Sequence, residues 1–188
     1  MIAAMEPPGI TRHRRPFLAP LWVTLLAVLI AGGVVYTVYR GAATTVVVLA
    51  SAGAKEPGTI DDPPISAEGE GRAQRLAQLF GAAGGSGRLD ALYVSSERRA
   101  QQTAAPLAEL LHLAPTGYAA KDAASVAATL VRGHEGGAVL VIGGSATLQP
   151  FLRQLAGAGA GEAAAEPDLL YIVSVPSFGR PRMLRLKY

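Results

Sequence analysis

The chain has no cysteine, so it forms no disulfide, holds no thiolate-bound metal and offers no cysteine nucleophile. Histidine is almost as scarce. His13, His112 and His134 are the complete set, and the long interval from His13 to His112 contains none. Arginine is missing between Arg40 and Arg72. Charged residues make up 16% of the 188 positions, against about 25% in an ordinary soluble protein. Clustered carboxylates are few. Asp61-Asp62 and Glu56 stand beside Pro63-Pro64 with no further acids gathered around them, so neither a metal nor any other cofactor is expected. The net charge of +3 is uneven in its distribution. Residues 1–40 hold Arg12, Arg14, Arg15 and Arg40 against Glu6, whereas residues 41–188 carry thirteen basic and thirteen acidic side chains. The globular part is therefore neutral, and nucleic acid is not an expected partner.

What is present begins with an uncharged stretch. Pro16–Tyr39, PFLAPLWVTLLAVLIAGGVVYTVY, is 24 residues without an ionisable charge. As a helix it measures about 36 Å, enough to cross roughly 30 Å of hydrocarbon. Trp22 lies near one end and Tyr36 and Tyr39 near the other, where aromatic belts sit. Gly32-Gly33 would bend the helix or let a neighbouring helix approach closely, which makes these five residues the expected membrane and partner contacts. The run exceeds the 7–15 apolar residues of a signal-peptide core, and Tyr36-Thr37-Val38-Tyr39-Arg40 is a poor cleavage site, so the expectation is an uncleaved anchor. The arginines preceding it place residues 1–15 in the cytoplasm, residues 16–39 across the inner membrane, and residues 40–188 outside, in the periplasm of a bacterium.

The remainder alternates strand and helix. Thr44–Ala50 and Ala138–Ile142 are β-branched and apolar throughout, as strands buried on both faces are. Leu89–Val94 is a third strand, and Leu169–Val175 and Met183–Leu186 read as late strands, antiparallel and at an edge. Helices are expected from Ser66 to about Phe80, over Glu97–Leu111 with a new turn or kink at Pro106, from Asp122 to about Arg132, and from Ser145 to Leu155. Ser66, Asp122 and Ser145 are the expected caps. This order implies right-handed βαβ units and a three-layer α/β/α sandwich on a mainly parallel sheet, preceded by one transmembrane helix. Ligands of such sheets bind outside the carboxyl ends of the strands, here Ala50-Ser51, Ser95-Ser96 and Gly143-Gly144.

Three segments at those strand ends resemble one family. They are Ile65-Ser66-Ala67-Glu68-Gly69, Ser95-Ser96-Glu97-Arg98-Arg99-Ala100-Gln101-Gln102-Thr103-Ala104, and Gly143-Gly144-Ser145. In order and spacing they resemble the histidine phosphatase superfamily, with its phosphoglycerate mutase-like fold, and most of all the small branch that includes phosphohistidine phosphatases of the SixA type. The resemblance runs from about Thr44 to Tyr188. It implies phosphoryl transfer through a histidine at the end of the first strand, next to an arginine. A second arginine and a second histidine would hold the phosphoryl oxygens, and an acid would protonate the leaving group.

This sequence departs from that pattern where the chemistry would be. The Arg-His pair falls on Ala50 and Ser51 and the second histidine on Gly144, leaving Arg99 of the cluster. Because no histidine lies between His13 and His112, no shift of register supplies a nucleophile. Ser51 lacks a base, with Lys55 and Glu56 only as loop neighbours. His112, near a helix end, and His134, before the Ala138–Ile142 strand, read as surface residues. The expectation is a catalytically inactive protein: a membrane-anchored structural or interaction subunit of a larger complex, respiratory, photosynthetic or envelope, with other integral membrane proteins as partners. Two alternatives stand beside it. One is a sensor of phosphate or another small anion, bound by Arg99 and the Gly143-Gly144-Ser145 turn at a helix start; the other is a phosphoesterase of non-standard chemistry. The C-terminal run Arg180, Arg182, Arg185 and Lys187 has no acid among it. It reads as charge protecting a sheet edge, or as a face toward anionic lipid or an acidic partner.

Overall fold

The structure, a computed structural model, describes residues 21–41, 43–58, 61–81, 88–157, 169–177 and 179–187. Arg12, Arg14, Arg15, Pro16 and Pro20, the side chain of Tyr39, and most of the Ala/Gly-rich stretch before Leu169 lie outside the described residues. The chain divides into two units, Met1–Arg40 and Gly41–Tyr188.

The first unit is built on helix α1, Leu21–Gly41. Twenty-one residues give about 31 Å of rise. Its side chains are exposed along the length, from Leu21 and Trp22 to Tyr36 and Val38, and Leu21–Val38 is long and apolar enough to cross a membrane. The helix runs unbroken through Gly32-Gly33, and a Cβ on either glycine would meet nothing within 4 Å. The helix surface at this pair is open.

The second unit is an α/β fold around a six-stranded sheet. The strands are β1 (Thr44–Ser51), β2 (Ala91–Ser95), β3 (Thr116–Tyr118), β4 (Ala138–Gly143), β5 (Leu169–Pro176) and β6 (Arg182–Lys187). Their order is β3-β2-β4-β1-β5-β6. β1, β2, β3 and β4 run parallel, β5 runs antiparallel to β1, and β6 antiparallel to β5. The late antiparallel strands at an edge are as the sequence predicts.

Among the described residues, four helices cover the two faces: α2 (Ala67–Gly81), α3 (Arg98–Leu111), α4 (Ala123–Gly133) and α5 (Ser145–Ala156). Side-chain alternation along each strand decides which helices it meets. Val48, Ala50, Leu140 and Ile142 join Leu76, Ala77, Ala100, Ala104 and Leu107 of α2 and α3 in one core. Val47, Leu49, Val139 and Val141 join Ala127, Leu130, Leu148, Phe151 and Leu152 of α4 and α5 in the other. Both faces of β1 and β4 are dry, which is why those strands read as continuous apolar runs.

The local expectations divide. Ser66 caps α2 as expected, its Oγ accepting the Gly69 N–H at 3.2 Å. Pro106 sits inside α3 without interrupting it. The buried stripe Ala100, Thr103, Ala104 and Leu107 holds the turns on both sides, and that packing outweighs the one backbone hydrogen bond a proline forfeits. Asp122 and Ser145 do not cap. Asp122 has helical dihedrals because a short 3₁₀ turn, Ala120–Asp122, leads directly into α4. At α5 the cap position is Gly144, and Ser145 already lies one residue into the helix and points to solvent.

Phe151 is fully buried and packs edge-on against Tyr118, with ring centroids 5.3 Å apart. Phe151→Ala should lower the unfolding free energy by about 3–5 kcal/mol, read from urea denaturation of the purified chain.

Candidate active site and its occupancy

The carboxyl ends of β1, β2 and β4 lie side by side: Ser51 is in register with Gly143, and Ser95 with Tyr118 of β3. Ala50 is fully buried in the α2/α3 core. Ser51 is 8% exposed, and among the described residues no hydrogen bond joins it to a basic group. A serine hydroxyl without a neighbouring base is a weak nucleophile.

Beyond Ser51 the chain folds back over the site. Ala52 N–H donates to the Gly143 carbonyl at 2.9 Å, and Gly53 N–H to Thr103 Oγ1 at 2.9 Å. Gly53 packs so closely on the first turn of α2 that a Cβ there would lie 3.1 Å from the Gly69 Cα. A bridge between Lys55 and Ile65 closes the loop, and Gln102 Oε1 accepts the Ile65 N–H at 2.8 Å. Asp62 reaches across from this loop, and its Oδ1 accepts the Arg98 N–H at 2.8 Å. It thereby supplies the α3 terminus with the side-chain acceptor that Glu97, the cap residue by position, does not provide. Among the described residues, Asp61, Asp62 and Glu56 belong to no group of three or more His, Asp or Glu side chains that could hold a metal ion.

A shallow pocket of about 400 Å³ opens at these strand ends, lined by Asp62, Pro63, Ser96, Glu97 and Arg99. Arg99 is three-quarters buried. Its Nη1 donates to the Gly53 carbonyl at 3.5 Å and its Nη2 to Glu97 Oε2 at 3.4 Å. The Glu97 carboxylate in turn lies over Gly144, so that a Cβ built on this glycine would sit 2.6 and 2.8 Å from its two oxygens. The room a side chain at position 144 would need is filled by an internal anion, and that anion is paired with the arginine. Arg99 and Gly144 are brought together through Glu97. Gly143 is buried against Tyr118 and Thr147, and Ser145 faces away.

Tyr118 and Thr147 form a buried polar floor beside this point. A Cβ at Gly143 would fall on Thr147 Oγ1 and on the Tyr118 hydroxyl, which explains the first glycine of the pair. Thr147 Oγ1 donates back to the Gly144 carbonyl at 2.8 Å. Burial pushes the Tyr118 phenol up to about 12; the Thr147 hydrogen bond works against that rise, and the nearby Glu97 charge adds to it. Sequence reading singles out neither Glu97 nor Tyr118 as a site residue. The signal that could have found them is Gly143-Gly144 itself, two successive strand-end positions without a side chain.

The two described histidines are elsewhere. His112 ends α3 in the left-handed conformation at φ 53°. His134 ends α4 at the opposite end of the sheet, its Nε2 3.2 Å from the Tyr93 hydroxyl. Trp22, Gly32, Gly33 and Tyr36 belong to α1 in the other unit.

Comparison with known proteins agrees with the resemblance read from the sequence. Residues 52–120 match the model of the histidine phosphatase superfamily (branch 1). No curated protein sequence matches. Among solved structures, the chain is similar to the protein histidine phosphatase SixA complexed with tungstate, at 16% identity and a TM-score of 0.58, over 76% of this chain and 96% of that one. SixA from Agrobacterium tumefaciens is similar at 18% identity, TM-score 0.58, over 76% and 98%. A mycobacterial glucosyl-3-phosphoglycerate phosphatase is similar at 14% identity, TM-score 0.59, over 74% and 97%. At such identities the likeness establishes the fold, and the chemistry has to be argued from residues.

Two outcomes are expected from the site. Gly144→His should destabilise the domain by about 1–3 kcal/mol through crowding against Glu97, and Glu97→Ala should recover most of that loss in the double variant, read as a double-mutant cycle in urea. The neutral Tyr118 phenol is the form the fold favours, so its contribution is complete below pH 10 and lost as pH rises toward 12. Tyr118→Phe should flatten the fall in thermal midpoint across that window.

Proposed function

From the histidine phosphatase fold that this chain carries, we infer a catalytically inactive, membrane-anchored protein that serves as an accessory, interaction-type subunit of a larger membrane assembly. The observation that carries this reading is the Glu97 carboxylate lodged over Gly144 and paired with Arg99. It supports loss of function at the very atoms where phosphoryl chemistry would need positive charge and an imidazole. With Ala50 and Ser51 ending β1, the site has no nucleophile–base pair among the described residues, and losses of that kind cost on the order of 10⁶ in rate. The solved relatives are named as phosphatases, and the fold alone would favour an enzyme. The residues at the strand ends are the reason to read this chain otherwise.

Helix α1 supplies the second half of the reading. Its length, its apolar surface and the arginines before it favour an anchor with the N-terminus in the cytoplasm and the domain on the periplasmic side of the inner membrane. Gly32-Gly33 offers a flat patch on which another transmembrane helix can pack, and this is the contact expected with integral membrane partners. Respiratory, photosynthetic and envelope complexes are the assemblies in view. The anion-sensing alternative has one observation in its favour, the approach of Arg99 to the α5 start. An incoming anion would there have to displace a carboxylate already in place.

The test is an assay of the detergent-purified full chain on a phosphohistidine peptide and an aryl phosphate, with and without divalent metal. The expected outcome is no turnover above buffer. Turnover that Arg99→Ala abolishes would overturn the inactive reading. Extraction of the native protein in mild detergent should give stoichiometric co-elution with a membrane assembly, and elution alone would count against the accessory role. A thermal shift in millimolar phosphate, lost in Arg99→Ala, would favour the sensor instead.

A further inference from the structure

Strand β6 forms the outer edge of the sheet, beyond β5. The four basic residues of the C-terminal run are all exposed, and no carboxylate occurs between Leu169 and Lys187. None of the four makes an ion pair among the described residues. Strand alternation sets Arg182, Leu184 and Leu186 on one face. Leu184 is 56% and Leu186 43% exposed, although their cross-strand neighbours Ile172 and Leu170 belong to the α2/α3 core. Among the described residues the edge therefore shows a strip of positive charge with no paired carboxylate, interleaved with bare leucine.

The start of that strip is pinned to one end of the sheet. Ser177 donates to the Ala43 carbonyl twice, from its backbone N–H at 3.1 Å and its Oγ at 2.8 Å. Ala43 directly precedes β1, and Gly41 is the last residue of the apolar helix. The links from Gly41 to Thr44 reach at most about 10 Å however the domain is turned. The hairpin between β5 and β6, with Arg180 and Arg182, thus lies at the end of the sheet from which the chain passes to α1. The pocket of Glu97 and Arg99 lies at the other end. A second copy of the chain is a poor occupant of this edge, because antiparallel pairing of two β6 strands would set basic residues against each other.

We propose that the β5–β6 hairpin and the edge strand β6 dock on anionic phospholipid headgroups next to the anchor. Arg180 and Arg182 make the charge contact, and the exposed leucines of β6 lie against the interface. The inference rests on the reading of α1 as a bilayer anchor. The anchor would hold the hairpin at high effective concentration near the surface, so a few arginines suffice, and each is worth about a fivefold change in the contact equilibrium. Contact of this kind would fix which end of the domain meets the bilayer and leave the strand-end pocket turned toward solvent or a partner.

Because the chain has no cysteine, a single label can be placed cleanly. Full-length Pro181→Cys carries a fluorophore in nanodiscs of phosphatidylcholine alone, or with phosphatidylglycerol, each doped with a headgroup nitroxide quencher. Ala120→Cys, at the opposite end of the sheet, is the control. The expected result is quenching at position 181 that rises several-fold with phosphatidylglycerol, disappears at about 1 M salt, and falls in Arg180→Ser/Arg182→Ser, while position 120 stays unquenched. Equal quenching at 181 in both lipids, or none, would overturn the lipid contact and leave the run to an acidic protein partner. Failure of the chain to enter nanodiscs of either composition would overturn the anchor itself, and the docking inference with it.

Discussion

Strand β1 is the member on which the domain depends. It pairs with β4 on one side and β5 on the other, and its alternate side chains feed both cores, Val47 and Leu49 into one and Val48 and Ala50 into the other. Removing it would separate the parallel half of the sheet from the antiparallel edge and open both helix layers at once. This arrangement also separates what holds the fold together from what stands at the strand ends. The free energy of the fold resides in the strand interiors, whereas phosphoryl chemistry would need only the last residue or two of each strand.

At those ends the structure has settled into a different arrangement from the one the family resemblance implies. An arginine remaining from a charged cluster would be costly if left half-buried and alone. Here Arg99 has the Gly53 carbonyl and the Glu97 carboxylate as partners. Glu97 can reach this position because residue 144 is glycine and leaves the space open. The pair is thus a joint solution of Arg99 and Glu97 in the space Gly144 leaves, and with Asp62 the pocket is lined by two carboxylates against one guanidinium. The loop after Ser51 adds to the closure, since Asp62 is committed to the α3 terminus and Gln102 to the loop backbone.

The two edges of the sheet differ in kind. β3 is three residues long and its face carries Tyr118 into the core, so little unpaired backbone is exposed. β6 is twice as long, and what covers its exposed side is charge and leucine. Basic residues on an edge discourage pairing with another strand, and the same residues suit an anionic surface.

The sequence by itself determined the architecture to a large extent. Apolar runs such as Thr44–Ala50 and Ala138–Ile142 have few ways to be buried, and the alternation with amphipathic helices leaves the three-layer sandwich as the simple solution. The absence of histidine between His13 and His112 is likewise a property of composition that no folding can change. Helix starts were legible where a side chain does the capping, as at Ser66. They were not legible where a 3₁₀ turn or backbone geometry does it, as at Asp122 and Ser145. Only the tertiary structure decided what occupies the site. Glu97 and Gly144 are 47 positions apart in the chain, and their contact exists because β2 and β4 are neighbours in the sheet. Likewise, the hydrogen bonds from Ser177 to Ala43 span 134 residues. Local periodicity carries no information about pairs so far apart, since strand order is settled by packing of the whole sheet.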